Sequence, residues 1–368
     1  MILHFLTDDK FSDYVIEQFS DPELHSEFVL ISSSVVGEYF QSVESVWRVN
    51  PYKKKELRQL IDAIGNYSAI VLHGLFYPWC EMVLRNVPDN VKVAWVFWGG
   101  EIYGRKDLMV SFLSKGSKLL LGLHGMKRRK NNDIGHYELP MALFQRIDYC
   151  LTDVHEDFEF VKAYSGFEAK ELWYNYYSVD ETLGELRMQS TDGKNIIVGN
   201  SCTIENNLLD GLRAIKGKVD CNSKIFVPLS YGEPWLRRIV IKVGKCMFGK
   251  QFYPLVEFMP RDDYNNIIKS CSVAIMPHYR PQAFGNILTA LWLGTRVYMS
   301  EKSLLYKFFK RIGAIVFSIE KDLYSTSNLM LHPLTDEERN VNQEVITGLY
   351  DKSVMNVKIR ELVSTLNG

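Results

Sequence analysis

Two successive series of short apolar runs, each run followed by an amphipathic stretch, constrain the fold of this chain more than any other feature. In the first series the runs are Ile2–Thr7, Phe28–Ser32, Ala69–His73, Val91–Trp98 and Tyr149–Thr152, with helical patterns such as Lys53–Ile64 and Pro78–Arg85 between them. Runs of about four to eight residues rich in Val, Ile, Leu and aromatics read as buried strands. Strand–helix alternation implies a parallel sheet wrapped by helices. The second series repeats the scheme with Asn195–Gly199, Lys224–Pro228, Ser272–Pro277, Val297–Ser300 and Ala314–Phe317. Its helical patterns are Asn206–Ile215, Trp235–Cys246, Asp262–Lys269, Ile287–Leu293 and Leu304–Arg311. The expected architecture is therefore α/β, with two Rossmann-like doubly wound domains facing an interdomain cleft. Residues 1–176 form the first domain and 195–334 the second, and the polar stretch 177–194 reads as a linker. Residues 335–368 read as C-terminal helices that cross back to the first domain. Ligands in such folds sit at the carboxyl ends of the strands.

Composition narrows the partners. The chain has 368 residues, 46% of them hydrophobic and 24% charged, enough for two sizeable cores. A formal net charge of −1 gives no global field that would draw the chain to nucleic acid. The six cysteines show no C-x-x-C spacing, so neither a disulfide scaffold nor a zinc site is indicated, and free thiols in a reducing cytoplasm are expected. The opening run from Met1 to Asp9 lacks a positive n-region and does not read as a secretion signal. No run is long and apolar enough to span a bilayer. The expectation is a chain that is soluble or rests on a membrane surface.

Several familiar ligand loops are missing. No G-x-G-x-x-G follows a strand and opens a helix, so no nicotinamide or flavin cofactor is expected. Gly244–Lys250 nearly matches a P-loop, but Gln251 stands where Ser or Thr must hold magnesium. That segment reads instead as a helix C-terminus with Gly249 beyond it. A metal-dependent sugar transferase shows an Asp-x-Asp pair, whereas Asp8-Asp9 and Asp262-Asp263 are adjacent and their side chains diverge. Without a metal, a departing diphosphate must be met by helix N-termini, backbone N–H groups and basic side chains.

The loops of the second series supply such groups. Gly199, Asn200 and Ser201 end its first run; the glycine permits close approach of a ligand and the other two offer hydrogen bonds, although an ordinary turn ending in a helix cap reads equally well. Between a strand and a helix lie His278, Arg280, Gln282, Gly285 and Asn286, a set suited to a pyrophosphate, although Arg280 also reads as a solvated loop charge. Tyr231, after Val227-Pro228, is placed to stack on a base or to form a rim. In the first series, His73-Gly74 and Trp98-Gly99-Gly100-Glu101 both end apolar runs. A desolvated Glu101 with a raised pKa suits a general base, with His73 in reserve or as a satisfied structural histidine. Lys127, Arg128, Arg129 and Lys130 follow the apolar Leu119–Leu123. They suit anionic headgroups, at about 1 kcal/mol per basic residue, or a solvated face.

Taken in order, His73-Gly74, Trp98-Gly99-x-acid-x-Tyr103, Val198-Gly199-Asn200-Ser201, Val227-Pro228-x-x-Tyr231 and Arg280-x-Gln282-x-x-Gly285 span most of the chain. This set resembles the bacterial transferases that use TDP-4-acetamido-4,6-dideoxy-D-galactose (Fuc4NAc) on lipid-linked intermediates of enterobacterial common antigen. The resemblance implies a metal-independent GT-B glycosyltransferase with a dTDP-sugar donor and an undecaprenyl-diphosphate-linked acceptor. It also implies peripheral attachment at the cytoplasmic face of the inner membrane. The chain departs from the pattern at Glu101, where Asp is expected, and at Thr289, which stands before Ala290 where GT-B enzymes carry a ribose-gripping Glu. A nucleotide-sugar epimerase of the same architecture, or a non-catalytic nucleotide-sugar-binding module, is the alternative reading.

Overall fold

The computed structural model describes residues 1–33, 46–128, 137–326 and 332–368. Two parallel sheets organise them. The first contains β1 (Ile2–Thr7), β2 (Ser26–Ile31), β3 (Trp47–Val49), β4 (Ala69–His73), β5 (Lys92–Val96), β6 (Tyr149–Leu151) and β7 (Lys170–Leu172), in the order β3-β2-β1-β4-β5-β6-β7. The second contains β8 (Asn195–Val198), β9 (Ile225–Pro228), β10 (Phe252–Leu255), β11 (Cys271–Met276), β12 (Arg296–Met299) and β13 (Phe317–Ser318), in the order β10-β9-β8-β11-β12-β13. β1 pairs in parallel with both β2 and β4, and β8 with both β9 and β11. Strand order therefore reverses between β1 and β4 in one sheet and between β8 and β11 in the other. Connecting loops part in opposite directions at such a point and leave a crevice beyond the carboxyl ends.

The central strands are the ones the apolar runs foretold. Every residue of β1 and of β11 is buried, as parallel strands covered on both faces must be. The strands that the runs did not reveal are β3, β7 and β10, all at or next to a sheet edge. Lys170 and Glu171 occupy β7, and Pro254 sits in β10; edge strands tolerate charge and proline because one side of the ladder is unpaired. β13 begins at Phe317, so most of the expected run Ala314–Phe317 precedes it. Gly249 ends the helix Pro234–Phe248, which disposes of the P-loop likeness.

The chain divides into two compact units. One comprises Met1–Arg105, Asp133–Ser178 and Tyr350–Gly368; the other comprises Lys106–Asn132 and Val179–Leu349. The expected continuous first domain is thus interrupted. Asn207 explains how the inserted segment is held. Its Oδ1 accepts the Ser114 backbone N–H at 2.8 Å, and its Nδ2 donates to the carbonyls of Phe112 (3.2 Å) and Pro277 (3.3 Å). Leu113 joins the core of the second unit with Ile196, Val198 and Leu212. The stretch expected as a linker is also largely structured within the second unit, where the Trp292 indole N–H donates to the Arg187 carbonyl at 2.9 Å. At the far end, the helix Lys352–Asn367 buries Ile359, Leu362, Val363 and Leu366 in the first unit's core, against Ile2 and Leu6. The six cysteines are free thiols.

Candidate active site

In the first unit, the β1–β4 reversal is bordered by Asp9 beyond β1 and by Gly74–Tyr77 beyond β4. A Cβ on Gly74, whose φ is +90°, would lie 2.8 Å from the Phe76 ring, and one on Gly100 would lie 2.9 Å from it. These glycines let Phe76 seat between the two loops, edge-on to Trp98. Phe11 packs on both Trp98 and Tyr176, and the three are half-buried or buried at the strand ends.

His73 lies inside this cluster. The Trp98 indole N–H donates to Tyr176 Oη at 2.6 Å, Tyr176 Oη is 3.0 Å from His73 Nδ1, and His73 Nε2 is 3.2 Å from His4 Nδ1. Burial holds both imidazoles neutral: His4 is pushed down to about 3, and His73 lies well below its usual value, its neighbour His4 adding to the effect. A neutral, enclosed His73 makes a poor proton store. It fixes the Tyr176 hydroxyl instead.

Glu101 is only 6% exposed, in the short helix Gly100–Tyr103. Its Oε1 accepts the Trp95 indole N–H at 3.1 Å and the Trp98 backbone N–H at 3.2 Å, while Oε2 is buried without a partner. Burial raises its pKa to about 7, against the pull of those hydrogen bonds. The raised pKa matches the sequence expectation, but the direction does not. The carboxylate turns toward fully buried Trp95, so it braces the Trp98 loop from within. The half-buried carboxylate at the reversal is Asp9, a residue that sequence reasoning used only to dismiss a metal pair. Thr7 Oγ1 donates to its Oδ2 and the Phe11 N–H to its Oδ1, both at 2.7 Å, and burial raises its pKa despite these bonds.

In the second unit, the β8–β11 reversal carries the loops singled out from sequence, with a different division of labour. Gly199 has φ +69°, and a Cβ there would meet Leu208 at 2.3 Å and Asn206 Oδ1 at 2.5 Å. The space that the glycine leaves is filled by protein and is not left for a ligand. Asn206 Nδ2 donates to Asn200 Oδ1 at 2.5 Å and to Ser201 Oγ at 2.9 Å. Asn200 and Ser201 lie near the Tyr231 hydroxyl, while much of Tyr231 is exposed. These two side chains build the loop. Cys202 N–H donates to the Tyr231 carbonyl and Glu233 N–H to the Cys202 carbonyl, zipping the β8 and β9 loops together.

Beyond β11 the polar atoms are not satisfied in this way. His278 is fully buried and its pKa falls to about 4 through desolvation. Its Nδ1 lies 3.1 Å from the Arg280 carbonyl, which can only accept, so the proton sits on Nδ1 and Nε2 is a bare lone pair. That Nε2, Arg280 Nε and Gln282 Nε2 are all buried without a partner. Arg280 makes one long ion pair, Nη2 to Glu205 Oε1 at 3.4 Å. Glu233, raised to about 7 by burial and by Glu205, has an unpartnered Oε2. Ala283 holds a left-handed φ of +61°, a strained conformation for a residue with a side chain, and starts the helix Phe284–Leu293. Gly285 opens on free space, while Asn286 reaches Tyr264 Oη at 3.4 Å. Thr289 and Ala290 are buried inside that helix.

Among the described residues no group of three or more His, Cys, Asp or Glu is placed to hold a metal ion. Lys127 and Arg128 close the helix Lys115–Arg128, but their side chains, together with Arg129 and Lys130, lie outside the described residues.

Two parallel sheets, each with a central reversal of strand order, are the architecture of GT-B glycosyltransferases. The fold matches a glycosyltransferase from Rickettsia africae (TM-score 0.64, 11% identity, covering 99% of this chain and 98% of that one). It also matches the sucrose-phosphate synthase of Thermosynechococcus elongatus (0.61, 12% identity, 99% and 98%) and Anabaena HepE in complex with UDP and glucose (0.61, 11% identity, 99% and 100%). The family described as 4-alpha-L-fucosyltransferase, glycosyl transferase group 56, matches residues 137–328, more than half of the sequence. The chain belongs to that family, a conclusion in line with the Fuc4NAc-transferase resemblance of its motifs.

Proposed function

We propose that this enzyme moves a deoxyamino sugar of the Fuc4NAc kind from dTDP to an undecaprenyl-diphosphate-linked saccharide, working peripherally at the cytoplasmic face of the bacterial inner membrane. The observation that carries the reading is the concentration of unpartnered buried polar atoms on Arg280, Gln282 and His278, at the β8–β11 reversal beside a helix N-terminus. Buried donors without partners cost stability unless a ligand supplies them. Arg280, Gln282 and the first N–H groups of the helix Phe284–Leu293 suit the diphosphate. The bare Nε2 of His278 accepts from a hydroxyl or amide N–H of the transferred sugar.

Tyr231 flanks the nucleoside. The nucleoside diphosphate seen with HepE supports a ligand of this class in the fold. The Thr289 departure supports a deoxynucleotide: a ribose without its 2′-hydroxyl gives a gripping carboxylate one partner fewer. On the first unit, Asp9 takes the proton of the acceptor hydroxyl as that oxygen bonds to the anomeric carbon and the bond to dTDP breaks. Arg280 meets the charge that develops on the departing phosphate. Glu101 and His73 position Trp98 and Tyr176.

The test is a direct assay with dTDP-Fuc4NAc and an undecaprenyl-diphosphate-linked disaccharide. Expected is one sugar added per dTDP released, unchanged by a chelator. Turnover only with a UDP- or GDP-sugar would remove the donor assignment, and loss of turnover on chelation, restored by magnesium or manganese, would remove metal independence.

A further inference from the structure

The geometry points to the helix Lys115–Arg128 as an interfacial anchor that inserts Leu119 and Leu123 into an anionic lipid surface. Its two faces differ sharply. Ser117, Leu120, Leu121 and His124 face the second unit. Ser117 N–H donates to Ser114 Oγ at 3.0 Å, Leu120 and Leu121 pack on that unit's core, and the His124 ring stacks on Trp235 at 4.1 Å. Lys115, Lys118, Leu119, Gly122 and Leu123 follow helical spacing on the opposite face and are exposed. Leu119 is 66% exposed and Leu123 55%. A helix fastened along one side presents these leucines as a fixed ridge and not as a frayed end.

Charge selects the partner. The helix has four basic residues, Lys115, Lys118, Lys127 and Arg128, and no Asp or Glu. An acidic group against it is Asp210, which accepts from Ser114 Oγ, lies close to Gly116 and pairs with Arg213 at 3.2 Å. An apolar ridge flanked by lysines suits the boundary between headgroups and acyl chains, where leucines enter the hydrocarbon and lysine stems reach back to phosphate. Among the described residues no helix is long and apolar enough to cross a membrane, so attachment through this face would be superficial. The purpose of the anchor rests on the proposed lipid-linked acceptor, whereas vesicle binding by this helix does not depend on the transfer reaction.

Cosedimentation of the full chain with phosphatidylcholine vesicles, with and without phosphatidylglycerol, tests it. Wild type is expected to sediment with the anionic vesicles. Leu119→Ser with Leu123→Ser should weaken partitioning about tenfold or more, an effect that persists in high salt. Lys115→Glu with Lys118→Glu should weaken it by about fivefold or more per residue and flatten the salt dependence. Vesicle binding by the leucine variant equal to wild type would overturn the proposal, as would wild type that does not sediment. Turnover on a short-chain, water-soluble acceptor should be unchanged in both variants. If wild type binds vesicles as described yet shows no transfer to any acceptor, the anchor stands and the transfer reading falls.

Discussion

At the β1–β4 reversal of the first unit the polar side chains are largely bonded to one another, with His4 Nε2 and Glu101 Oε2 left over, whereas at the β8–β11 reversal of the second unit three nitrogens of one loop wait for a partner. Trp98, Tyr176, His73 and His4 form a continuous chain of contacts, and burial keeps its histidines neutral. His278 is buried and Arg280 and Gln282 are half-buried, yet each leaves a buried nitrogen unpaired beside the strained Ala283. The contrast teaches how each crevice meets its ligand. A neutral, aromatic, largely self-bonded wall suits a saccharide that must be oriented. An unsatisfied basic wall at a helix N-terminus suits a doubly charged group whose arrival completes the hydrogen bonds.

Breaking the first side of this contrast at the half-exposed carboxylate of Asp9 gives the largest expected effect. Asp9→Asn should lower turnover by about 10²–10⁴-fold, the range of a general base, with dTDP affinity within about twofold of wild type. Steady-state kinetics with calorimetric dTDP binding separates the two. On the second side, Arg280→Ala should weaken dTDP binding by about 10–100-fold, the worth of a charge-assisted hydrogen bond with a buried partner left behind. Thymidine binding should hardly change. A smaller effect is expected at Glu101. Glu101→Gln keeps the shape and one acceptor oxygen, so turnover should fall by less than about tenfold, below the usual range for removing a base.

The buried acids of the first unit add a pH signature. Burial raises Asp153 to about 6, Glu101 to about 7 and Asp157 to about 8, the last also accepting from the Tyr103 hydroxyl. The folded form therefore keeps protons that the unfolded chain has released. The stability they confer is fully present below the ordinary carboxylate range and is lost as pH rises through these raised values. Urea midpoints should fall between pH 5 and pH 9. Asp157→Asn should flatten that slope more than Glu101→Gln does.

Much of the fold was legible because central parallel strands are continuous apolar runs. Edges such as β7, with Lys170 and Glu171, carry no such mark. The assignment of the helix Lys115–Arg128 to the second unit depends on Asn207 meeting Ser114 across the sequence, which no local period reveals. Of the site, Arg280 and Gln282 were readable as polar residues between a strand and a helix. Gly199, Asn200 and Ser201 looked the same but serve the loop itself, because the buried Asn206 claims their atoms. Glu101 gave its pKa away through its apolar surroundings but not its direction, which Trp95 sets. Asp9 was hidden because its place at the reversal comes from sheet order, and order is settled by pairing between β1 and β4.

The most direct test is a crystal structure of the protein with dTDP. The diphosphate oxygens are expected within hydrogen-bond distance of Arg280, Gln282 and the first N–H groups of the helix Phe284–Leu293, with Arg280 drawn from Glu205 toward phosphate. A diphosphate bound anywhere else, with those nitrogens still unpaired, would contradict the central claim that this wall was built for it.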